Sequence, residues 1–164
     1  MAQLHKKDVI VSVTGCRLSP NPRDNRVVDM VADGSMVRHP QGYTVSYREP
    51  FESDKDTRTT LFVEDGRVTI MQSGGQSSQM VFEEGRRHVS YCDTAEGPVT
   101  MGITANRVKA ELGQDGGHIE VDYGVEIAGN LAEASFVHID IRAASGSWLS
   151  VPEGLTVYKD YLVN

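Results

Sequence analysis

The chain has 164 residues, 39% hydrophobic and 24% charged, enough to bury one core and hardly two. Its net charge of −7 argues against binding a phosphate backbone, which needs a clustered basic face; Arg86-Arg87-His88, the densest cationic run, is only a turn. No apolar window approaches a membrane span, and the basic start leads only into Val9-Ile10-Val11 before Ser12, so neither a membrane segment nor a signal peptide is expected. Cys16 and Cys92 lack a CxxC spacing, which points to a cytoplasmic protein with reduced thiols.

Taken in order, Val9, Val11 and Val13 alternate with Ile10, Ser12 and Thr14 in a strand that ends near Cys16-Arg17. The stretch from Ser19 to Asn25 holds two prolines and two asparagines and reads as a loop. Val28, Met30, Ala32, Gly34 and Met36 share one face of a long second strand, which His39-Pro40-Gln41-Gly42 turns back. Tyr43, Val45, Tyr47 and Glu49 form the inward face of the third strand. Pairing Arg38 with Tyr43 sets Gly34 opposite Tyr47, where the missing side chain leaves room for the ring. A polar loop from Phe51 to Thr57 leads on.

Four alternating runs between Arg58 and Asp93 then read as an antiparallel meander. The two-residue turn Asp65-Gly66 sets Leu61 opposite Ile70 and Val63 opposite Val68, with Glu64 and Arg67 paired on the other face. The loop Gly74-Gly75-Gln76 sets Ile70 opposite Met80 and Val68 opposite Phe82. Gly85-Arg86, read as a type II′ turn, sets Phe82 opposite Val89 and Met80 opposite Tyr91, so one apolar face runs across all four strands and Cys92 faces outward as a structural thiol.

Val99, Met101 and Ile103 keep an odd-numbered phase that changes to Val108, Ala110 and Leu112, which predicts a β-bulge near Asn106-Arg107. Gly113 to Gly116 turns into Ile119, Val121, Tyr123, Val125 and Ile127; Gly129-Asn130-Leu131 turns into Val137, Ile139 and Ile141. Ten strands and no helix of useful length give an all-β, single-domain chain. With an even strand count, Val137 to Arg142 can run antiparallel beside Val9 to Arg17 and close a meander β-barrel without edges. The alternative is a sandwich with the same strands in two sheets.

Ser46-Tyr47-x-Glu49, Thr59-Thr60, Met80-x-Phe82-x-x-Gly85, Met101-x-Ile103, Gly116-Gly117-x-Ile119, Tyr123 and Ile139-x-Ile141 together resemble the YwiB-like family of uncharacterised bacterial proteins, over residues 8 to 142. The resemblance implies a calycin-like β-barrel, the broad class that includes lipocalins. It implies no activity, cofactor or catalytic residue. Residues 143 to 164 form a tail beyond the matched part.

Continuing the registers to one end places Glu49, Thr59, Gln72, Ser78 and Asp93 in a polar belt on the inward face. Tyr47, Tyr91, Met80 and Met101 lie below it as apolar lining. A polar ring above a greasy interior is what a barrel mouth needs to orient a small ligand. Strands that simply become polar as they leave the core would look the same. The loops Ser19 to Asn25 and Phe51 to Thr57 fall at this end, and Glu49, inward among apolar strands, is expected to have an elevated pKa there.

Outside the barrel, His118, Glu120 and Asp122 are expected opposite Arg142, Asp140 and His138. Imidazoles and carboxylates are metal ligands, but strand spacing spreads such a set by about 7 Å per step, so a solvated wall that binds no structural metal is expected. Gly74-Gly75 has no helix N-terminus after it to cradle an anion. Serines near His39 or His88 lack a GxSxG elbow, and enzyme function ranks third. Two readings remain: a small-molecule binding barrel without catalysis or cofactor, or a protein-interaction module that uses its outer wall or tail, with a homo-oligomer as one outcome. The tail is apolar through Trp148, Leu149, Val151, Leu155, Val157, Tyr158, Tyr161, Leu162 and Val163, and Trp148 to Tyr161 is expected to dock on the outside of its own barrel or on a neighbouring subunit, near the end where Arg142 leaves the sheet, with Thr60, Phe62, Thr69, Met71 and Val81 as the most apolar candidate patch.

Overall fold

A computed structural model describes residues 6–48 except 20, 22 and 24, residues 57–94 except 75 and 76, and residues 97–144. Their strands are β1 (Lys6–Leu18), β2 (Arg26–His39), β3 (Gly42–Arg48), β4 (Arg58–Glu64), β5 (Arg67–Ser73), β6 (Ser78–Phe82), β7 (Arg87–Thr94), β8 (Gly97–Gly113), β9 (Gly116–Ile127) and β10 (Asn130–Ala143). All neighbours are antiparallel, and β1 pairs with β10, so the sheet closes into a ten-stranded meander barrel rather than a sandwich. Glu49, the loop from Phe51 and the tail beyond Ala144 lie outside the described residues.

The core is the inward phase of each strand. Val9, Val11, Val45, Leu61, Val68, Phe82, Ile103, Ile119, Val121, Ile139 and Ile141 are buried almost completely. Along β8 and β9 charges take the outward phase, where Lys109 faces Glu120 and Arg107 faces Asp122. Apolar inside and charged outside is the inverse of a transmembrane barrel wall, and among the described residues no helix is long and apolar enough to cross a membrane. Gly34 stands opposite Tyr47 as expected. A Cβ on Gly34 would lie 2.5 Å from the Ser46 carbonyl oxygen and 3.1 Å from the Tyr47 Cβ, so glycine is what lets the two strands approach there.

The registers across the Asp65-Gly66 turn and from β5 to β6 are those expected, and the bulge lies between Ala105 and Arg107. Three registers differ. β3 pairs Tyr47, not Glu49, with Thr59. This two-residue displacement keeps every side chain on its face, because alternation fixes parity but a long loop does not fix register. At β9–β10 the turn is Ala128-Gly129, both with positive φ (54° and 82°), as in a type I′ hairpin. A bulge between Leu131 and Glu133 follows, which leaves His118 opposite Asp140 and Glu120 opposite His138.

The third difference changes faces. Gly85-Arg86 is not a tight hairpin: the Gly85 N–H donates to the Ala105 carbonyl (2.9 Å) and Glu84 bridges Ala105 on β8. The Glu84 carboxylate accepts the Val108 N–H (3.0 Å), opposite the β8 bulge. Glu83 to Arg86 thus lean toward β8, and β6 and β7 share only the pairs Ser78–Cys92 and Gln79–Tyr91. The slip is one residue. Val89 and Tyr91 point outward, 51% and 64% exposed, while His88, Ser90 and Cys92 take the inward phase opposite Ile103, Met101 and Val99.

Candidate functional site

The connections after β1, β3, β5, β7 and β9 gather at one end of the barrel, and the inward phase becomes polar there. Thr59 on β4 and Thr57 just before it are buried. The Gln72 amide Nε2 donates to Thr59 Oγ1 (3.5 Å), and Ser78 Oγ donates to Gln72 Oε1 (3.3 Å). The expected belt is therefore present at Thr59, Gln72 and Ser78 as a hydrogen-bonded chain across three strands. It continues to Cys92, which stands opposite Ser78 where Asp93 was expected. Tyr47 is buried beside it on β3.

Below this chain, Met80 and Met101 point inward as expected, and with Ile70 they keep part of their surface although they lie mid-strand. Leu61, Val68 and Phe82 beside them keep none. Tyr91 is not part of this lining; the one-residue slip of β7 puts it on the outer wall. Its place is taken by Ser90, 2% exposed, whose hydroxyl has no hydrogen-bond partner among the described residues. An unpaired buried hydroxyl costs about 1–3 kcal/mol, a cost that a polar group reaching it from outside the chain would remove. Ser90 and Cys92 are invisible to sequence periodicity, because Val89 and Tyr91 imitate an inward alternation.

The opposite wall of the mouth contributes Tyr123. Its ring packs on Phe82 with centroids 4.7 Å apart. Burial raises its phenol pKa above 10.0; Arg17 and a hydrogen bond with Ser135 oppose the rise, and Glu133 adds to it. Ser135 is itself buried, and its hydroxyl donates to Glu133 Oε1 (3.4 Å).

Two other constellations lack the assembly that their chemistry would need. His88 Nε2 lies 2.8 Å from Glu83 Oε1, but no hydrogen bond links His88 to Ser90 two residues on, so no nucleophile–base pair is assembled. On the outer wall, His138 Nδ1 meets Glu120 Oε2 at 3.1 Å, and His118 stacks on His138 with ring centroids 5.9 Å apart. Glu120 faces an imidazole there, not Asp140. Among the described residues no group of three or more His, Cys, Asp or Glu is arranged to hold a metal ion.

The family described as a domain of unknown function, DUF1934, matches residues 11–139. The chain belongs to that family. The DUF1934 match runs from within β1 to within β10, so it takes in the closing pair of strands as well as the mouth. The crystal structure of the ywiB protein from Bacillus subtilis is similar, with a TM-score of 0.74 at 16% identity over 85% of this chain and 94% of that one. At that identity the likeness shows a shared barrel fold and nothing of function. No curated protein matches the chain.

Proposed function

We propose that this DUF1934 barrel binds a small, partly apolar molecule through its polar mouth and performs no chemistry on it. The ligand-facing residues are Tyr47, Thr59, Gln72, Ser78, Ser90, Met80 and Met101, with Ile70 beside them. The observation that carries the reading is the Ser90 hydroxyl, buried without a partner beneath the chain from Thr59 to Ser78 and beside inward apolar side chains that stay partly exposed. Ten strands also enclose a wider interior than the eight that side chains alone can fill. Cytoplasmic placement belongs to the same reading: Cys16 on the outer face and Cys92 on the inner one form no disulfide.

Native mass spectrometry of the protein purified from cells tests this. A retained small mass, lost on denaturation, is the expected result. Titration with the neutral fluorescent probe N-phenyl-1-naphthylamine supplies a second readout: saturable binding that Ser90→Leu weakens by filling the interior. A bare protein mass together with no probe binding would overturn the reading.

One observation favours association with a protein partner through the outer wall. Val27, Cys16 and Phe136 line up directly across β2, β1 and β10, flanked by Leu18 and Leu131, and most of this row is exposed. Patches of this kind mark interaction sites. Sedimentation velocity of wild type against Phe136→Ser would separate the two readings, since only an association through this wall makes the sedimentation coefficient fall.

A further inference from the structure

The mouth has a charged side facing away from the Gln72 and Ser78 chain. β1 buries Val9, Val11 and Val13, and β2 buries Met36, Ala32 and Met30. Carrying both alternations to the mouth puts Arg17 and Arg26 on the inward phase, and the ladder pairs them directly. Facing residues on adjacent strands have Cβ atoms about 5 Å apart, where like charges repel. Among the described residues neither arginine has an ion-pair partner. Arg17, itself exposed at the rim, shares the strand face of buried Ser135 and lies close enough for its charge to act on the Tyr123 phenol, which is 8% exposed. Glu133, the carboxylate that faces this rim from β10, is engaged by the Ser135 hydroxyl.

Two arginines paired across the ladder at the exposed rim, beside a Glu133 carboxylate that Ser135 already engages, can each offer an anion a fork of N–H donors. An acidic chain of net charge −7 gains nothing in long-range field from such a pair, so its use is local. We propose that Arg17 and Arg26 receive the carboxylate or phosphate of an amphiphilic ligand whose apolar body lies over Ile70, Met80 and Met101. This rests on the binding reading above and adds the class of ligand. A second facing pair, Arg48 and Arg58, lies on the outward phase of β3 and β4, and Arg48 already has a partner, so Arg58 serves as a control.

The test is displacement of N-phenyl-1-naphthylamine from the full-length protein by decanoate, decyl phosphate and decanol. At least one of the anions should displace the probe at about tenfold lower concentration than decanol, the scale of one charge-assisted contact. The anion that does so identifies the head group. In the double variant R17Q/R26Q that advantage should vanish while decanol is unaffected, and R58Q should behave as wild type. Removing facing like charges should leave the double variant at least as heat-stable as wild type, which keeps the comparison valid. Anions no better than decanol on wild type, or a preference that survives in R17Q/R26Q, would overturn the inference and leave the binding reading standing. A wild-type protein that neither retains a small mass in native mass spectrometry nor binds the probe would overturn both.

Discussion

At the scale of single residues, the barrel carries features that cost stability and that the proposed binding would explain. Ser90 is the clearest. Ser90→Ala removes a buried hydroxyl without a partner, so the empty protein should become more stable by about 1 kcal/mol, while probe binding weakens; denaturant melts with and without N-phenyl-1-naphthylamine measure both. If Ser90→Ala destabilises the empty protein, the hydroxyl has a partner in solution. Tyr123 makes a prediction in pH. Its pKa is raised, chiefly by burial, so the folded state keeps the phenol proton longer than the unfolded chain does. The folded state then binds more protons between the two pKa values, and unfolding free energy must fall with pH. The loss begins as pH passes about 10 and continues until the folded phenol itself ionises. Tyr123→Phe, which keeps the packing on Phe82, should flatten that part of the alkaline melting profile; an unchanged slope would mean that another group governs it.

At the scale of strands, the weakest seam is between β6 and β7, which are joined by two residue pairs. Local opening follows low hydrogen-bond density, so hydrogen exchange followed by mass spectrometry should show β6 and β7 losing protection before β1, β9 and β10, and ligand should slow them. Uniform exchange across all ten strands would contradict this. The same seam marks where sequence reading stops. Alternation of Leu61, Val63, Val68 and Ile70 fixes which side faces in, and a tight Asp65-Gly66 turn fixes the partner, so that register is legible. The β8 bulge is legible because the phase change from Ile103 to Val108 is written in the residues themselves. Long or bulged connections keep parity but lose register, as at Tyr47–Thr59 and Glu120–His138. Glu83 to Arg86 lean toward β8, a tertiary contact that no local pattern carries. Thr59, Gln72 and Ser78 could therefore be placed from sequence, whereas Ser90 could not.

At the scale of the molecule, closure depends on the two terminal strands. β1 and β10 pair from Val9–Ala143 to Leu18–Ala134, and Val11, Val13, Ile139 and Ile141 are buried along that seam. Without it both strands would present open edges, the usual template for aggregation. Contacts between the ends of the chain also require most of the chain to be ordered first, which favours slow, cooperative folding. Ile139→Ala should cost about 2–5 kcal/mol through lost burial and a residual cavity, whereas Ile127→Ala, at an exposed strand end, should stay within about 0.5 kcal/mol. Both are read from denaturant midpoints with the m-value held. A chain ended at Gly129 tests closure directly. Lacking β10, it leaves one edge of β1 and one of β9 unpaired, so it should elute as oligomers or aggregates in size-exclusion chromatography, and a stable monomer of that length would show that the remaining nine strands can close or cap themselves.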